Sequence, residues 1–269
     1  MFASLFFLLC MIHPFSHDLH LISLPGKQPR TIICFHGYGA NYRIAETVQQ
    51  MTHARVIGFN FPDHDLFERE YDPQRACFGT IEELLPAFFV LKQCVLDPGL
   101  GTVDLYGFSS GGGALINLLG VLNGSNWDPE LLKLGIDGQG KRKLLSAIQQ
   151  GTVILDAPLK SVEEIIDARG STEELQILAA KYRDHGLRPI DSVKLLRGLK
   201  LRLVVYFEEI DEVISNRDDA LFIERLQKAN ELGTTSVIRA KGGGHNGPHP
   251  SLWSFLVDFQ KKILPRGND

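Results

Sequence analysis

The sequence is poor in cysteine, and no two of its cysteines lie close together. Among 269 residues there are four, at Cys10, Cys34, Cys77 and Cys94. None of them forms a Cys-x-x-Cys pair, so neither a disulfide framework nor a zinc site is expected. Cys34 lies inside an apolar stretch, and we predict that it is a buried free thiol.

An excess of basic residues is also missing. The chain has 28 Lys and Arg against 32 Asp and Glu, a net charge of −4 with histidine neutral. Proteins that bind nucleic acid usually carry a basic surface, so a nucleic-acid partner is not expected. No Gly-x-x-x-x-Gly-Lys-Ser/Thr follows the predicted strand at 103–106, and the first predicted strand-helix-strand unit, over residues 31–61, carries no Gly-x-Gly-x-x-Gly, which argues against a nucleotide-phosphate site.

An apolar run opens the chain but is too short to cross a membrane. Residues 1–12 are apolar except for Ser4, whereas a spanning helix needs about 20 such residues. No Lys or Arg precedes the run and no small-x-small cleavage site follows it, as a signal peptide would require. We therefore expect a hydrophobic leader over 1–18 on a cytoplasmic protein. The alternative is an exported or membrane-associated protein that makes peripheral membrane contact through residues 1–12.

Residues 19–269 show the alternation of a single α/β domain. Strands are predicted over 19–24, 31–35, 54–61, 103–106, 152–156, 201–207 and 236–240, and helices over 42–52, 81–96, from 112, 129–134, 142–150, 162–168, 173–182, 192–196, 218–231 and 252–263. The run 31–35 is unbroken apolar sequence, typical of a strand buried on both faces of a parallel sheet. The fold class is therefore α/β, with a mostly parallel central sheet flanked by helices. The helical insertion of about 159–199 is predicted to be a cap over the substrate.

A glycine-flanked serine lies between one of these strands and the helix that follows it. The segment is Gly107-Phe108-Ser109-Ser110-Gly111. A serine lifted to the tip of a strand-to-helix turn has strained backbone angles, and glycines on either side remove Cβ atoms that would collide there. Ser110 is not the central residue, because Phe108 would then stand where a glycine is needed. The spacing therefore predicts an exposed Ser109 Oγ at the start of a helix.

Other polar residues follow the predicted strands at the same edge of the sheet. In a parallel sheet, functional loops lie beyond the carboxyl ends of the strands. His36, Asp211 and His245 each stand at such an end, together with Ser109. A serine needs an adjacent base to become a nucleophile, and the base needs an acid that holds its tautomer. The chain order serine, acid, histidine is the order found in one class of hydrolases.

These segments together resemble the α/β-hydrolase fold superfamily, over about residues 19–264. The resemblance rests on His36-Gly37 after a buried strand, Gly-Phe-Ser-Ser-Gly at 107–111, Asp211-x-Val213, and Gly244-His245-Asn246. A His-Gly-Gly-Gly run is absent, so the chain resembles the serine esterase and lipase branch with a single His-Gly.

The resemblance implies a role for five residues. Ser109 would be the nucleophile, His245 the base and Asp211 the acid that orients it. The backbone N–H groups of Tyr38 and Ser110 would form the oxyanion hole. This chemistry requires no metal and no organic cofactor.

The acid and the base each have an alternative in the sequence. Relatives often carry a glycine shortly before the acid, where this chain has Glu208-Glu209-Ile210. Glu209 and Asp156 therefore remain alternatives to Asp211. His249 is the alternative to His245, although it lies between two prolines and outside the motif.

Two further histidine segments are predicted to be structural. The ring of His36 is expected to pair with loop backbone. Asp63-His64-Asp65 stands where many relatives carry Pro-Gly-His-Gly, and no further ligand lies at a metal-binding spacing from it. We interpret it as a turn.

The sequence thus predicts a serine hydrolase that cleaves a carboxylic ester through an acyl-enzyme, with thioesters or amides as further substrates. The expected partner is a small-molecule or lipid-like ester. Alternatives on the same fold are a peptidase, a C–C bond hydrolase or an acyltransferase, because cap and loops decide the substrate. A non-catalytic binding protein is the remaining alternative. Oligomeric state is not predicted.

Overall fold

The computed structural model describes residues 20–27, 29–62, 77–242, 244–249 and 252–254. The predicted leader over 1–18 and the predicted turn over 63–65 lie outside these ranges. Only residues 252–254 of the last predicted helix are described, and they are helical.

Within the described residues, seven strands form one sheet in the order β1-β3-β2-β4-β5-β6-β7. The strands are β1 Leu21–Leu24, β2 Arg30–Phe35, β3 Arg55–Phe59, β4 Thr102–Phe108, β5 Val153–Asp156, β6 Arg202–Glu208 and β7 Thr234–Ala240. β1 runs antiparallel to β3 at one edge, and every other pair is parallel. The predicted α/β class with a mostly parallel sheet is confirmed.

The register of the central strands aligns their carboxyl ends. Phe35 of β2 pairs with Gly107 of β4, and Phe108 pairs with Asp156 of β5. The residues that follow β2 and β4 therefore emerge at the same edge as the last residue of β5. This alignment brings loops from distant parts of the chain to one place.

Apart from the helical residues 252–254, nine helices lie in the described part of the chain. They are α1 Ile44–Thr52, α2 Ile81–Leu96, α3 Ser110–Asn123, α4 Asp128–Lys133, α5 Gly138–Gln150, α6 Val162–Arg169, α7 Glu173–Asp184, α8 Pro189–Ser192 and α9 Asp219–Ala229. A short 3₁₀ turn follows α2 at Pro98–Leu100, and another follows α8 at Val193–Leu196. α3 begins at Ser110, two residues earlier than predicted, because Ser109 accepts the N–H groups of Gly112 and Gly113 on its carbonyl.

Alternate residues of the strands pack into cores on opposite faces of the sheet. In β2, Ile33 and Phe35 join the core that includes α2, α3, α5 and α9, whereas Ile32 and Cys34 join the core that includes α1 and Trp253. This is the period-two alternation of a strand with both faces covered. The prediction that Cys34 is a buried free thiol is confirmed, and burial raises the pKa of this thiol.

The predicted insertion over 159–199 divides into two parts. Its second part packs beside α3: a methyl group on Gly113 would lie 2.9 Å from Cγ of Pro189, and one on Gly120 would lie 3.2 Å from Cδ1 of Leu195. Its first part, α6 and α7, packs with Phe78 in a separate small apolar cluster. A cap role therefore remains a prediction for α6 and α7, while α8 and the 3₁₀ turn after it belong to the layer of helices.

α2 carries one carboxyl group in this interior. Glu83 is buried, and its Oε2 accepts the N–H of Gly79 at 2.8 Å. Burial raises the pKa of Glu83 from 4.5 to about 8, although hydrogen bonds from Gly79 and Tyr182 act to lower it. Near neutral pH the folded protein therefore favours the protonated carboxyl.

Across the described ranges, none of the helices combines the length and apolar character needed to cross a bilayer.

Candidate active site

The site begins at a strained turn between β4 and α3. Ser109 has φ 54° and ψ −122°, a combination that residues other than glycine rarely adopt. Such a residue stores about 1–3 kcal/mol of strain and persists only when its surroundings enforce it. Here its N–H donates to the carbonyl of Asp156, and its carbonyl accepts the N–H of Leu159, both at 2.9 Å. β5 and the segment that follows it thus hold the turn.

Glycines make this turn sterically allowed, as the sequence predicts. A methyl group on Gly107 would lie 2.7 Å from both the carbonyl oxygen of Gly111 and Cα of Gly112. One on Gly111 would lie 2.3 Å from the carbonyl oxygen of Phe35. No Cβ fits at either distance, so α3 can begin directly against β2 and β4 only with glycine at both positions.

Ser109, His245 and Asp211 form a continuous hydrogen-bonded chain. Nε2 of His245 is 2.7 Å from Oγ of Ser109, and Nδ1 of His245 is 2.7 Å from Oδ2 of Asp211. The three side chains come from positions up to 136 residues apart in sequence. Ser109 is 8% exposed, so the hydroxyl that the sequence predicts to be exposed belongs to a largely buried residue. The structure therefore brings together all three residues that the sequence predicts to be catalytic.

The carboxylate of Asp211 is fixed in one orientation. Its Oδ1 accepts the N–H groups of Val213 and Ile214, each at 2.8 Å, so that Oδ2 faces His245. Burial alone would raise the pKa of Asp211, but the hydrogen bonds from His245 and the two backbone groups outweigh it and lower this pKa. Asp211 is thus an ionised acceptor, and the hydrogen on Nδ1 of His245 leaves Nε2 free to accept a proton.

The two alternative acids lie elsewhere. Glu209 is exposed, and its backbone N–H pairs with Ala240. Asp156 is buried and accepts a hydrogen bond from Tyr106 and from the ring of His249. Asp211 is therefore the acid in contact with His245.

A buried ion cluster joins α6 to the first residue of α9, the helix that follows the loop carrying this acid. Nζ of Lys160 lies 2.8 Å from Oδ1 of Asp219 and 3.1 Å from Oε1 of Glu164. The carbonyl of Glu164 accepts the N–H of Ser215, in this loop, at 3.3 Å. The loop runs from the end of β6 to the start of α9, and the bond between Ser215 and Glu164 attaches it to α6.

The loop of His245 is held by its backbone as well as by its ring. The N–H of His245 donates to the carboxylate of Glu212, with both oxygens at 3.2 Å. Its ring lies 5.0 Å from that of Phe108, the residue before the serine. Gly244 has φ +64°, and a methyl group there would lie 2.7 Å from Oε2 of Glu212. These contacts define where the imidazole sits.

The predicted oxyanion residues border Ser109 from two sides. Ser110 is the first residue of α3, so its N–H is among those that begin a helix and carry partial positive charge. On the other side, a methyl group on Gly37 would lie 3.2 Å from Cβ of Ser109, which places the loop of Tyr38 beside the serine. The hydroxyl of Tyr38 donates to Oε1 of Glu174 in α7 at 2.6 Å. Their part in catalysis remains a prediction.

His36 has the structural role expected of it. Its ring is buried, and Nε2 accepts the N–H of Phe61 at 3.2 Å. Nδ1 therefore carries the hydrogen and donates to the carbonyl of Gly37 at 2.8 Å. This histidine shapes the loop on which Tyr38 lies and takes no part in the hydrogen-bonded chain of Ser109.

One buried pair next to the site is not anticipated by the sequence analysis. His249 and Asp156 appear there only as alternatives to His245 and Asp211, yet they bond to each other, with Nδ1 2.7 Å from Oδ1. The sequence does contain a signal that Asp156 lies near the site, because Asp156 ends β5, the strand next to β4. Nothing in the sequence places His249 beside it, because that depends on the path of the loop after β7.

Among the residues that the structure describes, no group of three or more His, Cys, Asp or Glu side chains is arranged to hold a metal ion.

No protein-family model matches the chain, and no curated protein does so either. Solved structures do match it. A lipase/esterase from Lactobacillus plantarum is 14% identical, covers 94% of this chain and 97% of its own, and superposes with a TM-score of 0.60. The apo form of esterase 2 from Thermogutta terrifontis is 15% identical over 93% of this chain and 92% of its own, with a TM-score of 0.60. Est1E from Butyrivibrio proteoclasticus, solved with ferulic acid bound, is 11% identical over 91% and 94%, with a TM-score of 0.58.

These likenesses extend over more than nine-tenths of each chain. Together with the strand order and the turn at Ser109, they show that the chain has the α/β-hydrolase fold. The fold that the sequence resemblance implied is confirmed.

Proposed function

We propose that the protein is a serine hydrolase that cleaves carboxylic esters through an acyl-enzyme. The observation that carries the proposal is the chain of two 2.7 Å contacts from Ser109 through His245 to Asp211, at the end of a glycine-flanked turn. In this arrangement the base takes the proton of the serine hydroxyl and the acid orients the base, which activates the hydroxyl for acyl transfer. The solved structures of similar fold are described as esterases, which supports an ester as the substrate.

The first half-reaction forms the acyl-enzyme. Oγ of Ser109 attacks the ester carbonyl while Nε2 of His245 accepts its proton. The resulting imidazolium is stabilised by the ionised carboxylate of Asp211. The oxyanion of the tetrahedral intermediate accepts hydrogen bonds from the N–H groups of Ser110 and Tyr38, and loss of one such donor typically costs about 10²–10³ in rate. His245 then protonates the departing alcohol as the C–O bond breaks.

The second half-reaction reverses these roles. Water takes the place of the alcohol, and Nε2 of His245 accepts its proton as the oxygen attacks the acyl carbonyl. The second tetrahedral intermediate uses the same oxyanion donors. Its collapse returns the proton to Oγ of Ser109 and releases the carboxylic acid.

Labelling with a fluorophosphonate probe tests this function most directly, because the probe phosphonylates an activated serine. The wild type should become labelled at one site, and Ser109→Ala should abolish both labelling and the hydrolysis of p-nitrophenyl esters. Ser110→Ala is the matched control, since it removes the neighbouring hydroxyl and retains the backbone N–H. Labelling that persists in Ser109→Ala would mean that another residue is the nucleophile. A series of p-nitrophenyl esters of increasing acyl length then measures the size of the acyl site.

A further inference from the structure

A second histidine lies buried behind the loop that carries His245. His249 is 4% exposed. Its Nδ1 is 2.7 Å from Oδ1 of Asp156, and its Nε2 is 3.0 Å from the carbonyl oxygen of Gly244. Nε2 also lies 3.6 Å from Oε1 of Glu208. Both ring nitrogens of His249 therefore face oxygen atoms.

These oxygen atoms accept hydrogen bonds, and a neutral imidazole has only one N–H to donate. The carbonyl of Gly244 can only accept. The other oxygen of Asp156 already accepts the hydroxyl of Tyr106 at 2.7 Å and the backbone N–H of His249 at 3.3 Å. When Asp156 accepts at both of its oxygens, the ring makes its two bonds together only if His249 carries hydrogen on both nitrogens.

The groups around the ring favour this imidazolium. Asp156 reaches it from β5 and Glu208 from β6, where Tyr206 donates its hydroxyl to Glu208 and stacks on His249 with the ring centroids 4.6 Å apart. From β4, Tyr106 bonds to Asp156, and the ring of Phe108 lies 6.4 Å away. Burial by itself would lower the pKa of His249, but the hydrogen bonds and the two carboxylates outweigh it and raise this pKa above 6.5.

The bond to Gly244 acts on the peptide group that leads into His245. The carbonyl of that peptide accepts Nε2–H of His249, and its N–H donates to the carboxylate of Glu212. The two polar groups of a trans peptide point in opposite directions, so these bonds hold the peptide plane from both sides. Rotation of this plane about the Cα–C bond of Gly244 would displace Cα of His245, and with it the imidazole that faces Ser109.

We infer that His249 is a positioning residue, which in its doubly protonated form holds the Gly244–His245 peptide so that His245 lies in hydrogen-bonding distance of Ser109. This inference rests on the proposed function, because it concerns the same base and nucleophile. His249 itself does not touch the reacting atoms.

The inference sets the sign of a pH dependence. The folded-state pKa of His249 is raised, so the imidazolium persists below it and is lost as the pH rises through it. The bond to Gly244 is lost with the proton on Nε2, and the rate of serine labelling falls on the alkaline side.

Two substitutions of His249 separate its two bonds. The amide nitrogen of glutamine reaches about the position of Nε2, so His249→Gln retains a donor for the carbonyl of Gly244 that does not titrate. The amide nitrogen of asparagine reaches about the position of Nδ1, so His249→Asn retains the bond to Asp156 and loses the one to Gly244. Tyr106→Phe is the matched control, because it removes a different hydrogen bond from the same buried cluster.

The experiment measures the second-order rate of fluorophosphonate labelling from about pH 6 to about pH 10 in the wild type and the three variants. Near-UV circular dichroism verifies folding. We expect an alkaline fall in the wild type and in Tyr106→Phe, and no such fall in His249→Gln, whose rate at the wild-type optimum stays within about threefold. His249→Asn should label about 10- to 100-fold more slowly at every pH, the effect of a displaced catalytic group.

Each result decides the inference. If the alkaline fall persists in His249→Gln, or if folded His249→Asn labels as fast as the wild type, His249 does not position the base. If either variant does not fold, the wild-type profile decides: an alkaline fall must coincide with the titration of His249 followed by NMR, and failure to coincide overturns the inference. A wild type that is not labelled at any pH refutes the proposed function, and the positioning role is refuted with it.

Discussion

Replacing Asp211 with asparagine tests how the acid acts on His245. The substitution removes the charge and keeps the shape of the side chain. Its amide has one oxygen and one NH₂ group, and the structure determines which faces the histidine. Because Oδ1 accepts the N–H groups of Val213 and Ile214 at 2.8 Å each, the amide oxygen must remain there. The NH₂ group is therefore turned towards Nδ1 of His245.

This orientation forces the wrong tautomer on the base. A donor facing Nδ1 requires that nitrogen to accept, so the ring hydrogen moves to Nε2, which can then no longer take the proton of Ser109. Turning the amide over would place NH₂ against two backbone donors and lose two hydrogen bonds, at about 1–3 kcal/mol each. The tautomer is thus fixed, and we expect kcat to fall about 10⁴-fold, equivalent to about 5.4 kcal/mol.

The measurement is kcat and kcat/KM for a p-nitrophenyl ester, with the rate of fluorophosphonate labelling as a second readout. Glu209→Gln is the matched control, because it neutralises an exposed carboxylate two residues away and should leave both rates near those of the wild type. Thermal unfolding checks that Asp211→Asn remains folded. If folded Asp211→Asn retained kcat within about tenfold, or if Glu209→Gln produced the large loss, Asp211 would not be the orienting acid.

Two further predictions concern stability. Gly111→Ala places a Cβ 2.3 Å from a backbone oxygen of β2, so we expect a loss of about 1–3 kcal/mol in the free energy of unfolding and slower serine labelling, measured by urea denaturation and the probe. Gly138→Ala is its control, since the nearest atom lies 3.8 Å away, and equal losses in the two variants would contradict a steric role. The pKa of Glu83 is about 8 in the folded protein against an ordinary 4.5, so between these pH values the folded protein retains a proton that the unfolded chain releases. The contribution of Glu83 to the free energy of unfolding is therefore full below pH 4.5 and declines as the pH rises to about 8. Glu83→Gln should therefore raise the urea midpoint relative to the wild type more at about pH 8 than at about pH 5, and parallel pH curves for the two proteins would contradict the shift.

The parts of the site that the sequence predicts are those set by local geometry. The turn at 107–111 follows from glycine spacing, because only glycine tolerates the close approach of β2 and α3. Buried parallel strands appear as unbroken apolar runs, and the residue at the end of each run emerges at one edge of the sheet. Ser109, Asp211 and His245 could therefore be selected from the ends of their predicted strands.

The parts that the sequence leaves open depend on contacts between distant segments. Glu209 and Asp211 are two residues apart, and only the path of the loop after β6 exposes the first and turns the second towards His245. The insertion over 159–199 shows helical patterns throughout, and these do not reveal which helices pack on α3. That is decided by the close approach of Pro189 and Leu195 to Gly113 and Gly120 of α3, residues far apart in the sequence.

The amino-acid sequence by itself determined the α/β class, the strained turn at Ser109 and the small set of residues able to act on it, because strand burial and glycine spacing are encoded locally. The tertiary structure alone decided that Asp211 faces His245, and that Asp156 and His249 form a separate buried pair behind the same loop. The physical reason is that a hydrogen bond depends on ångström distances between groups. Those distances are set by strand register and by how loops cross the end of the sheet, and residue spacing along the chain does not contain them.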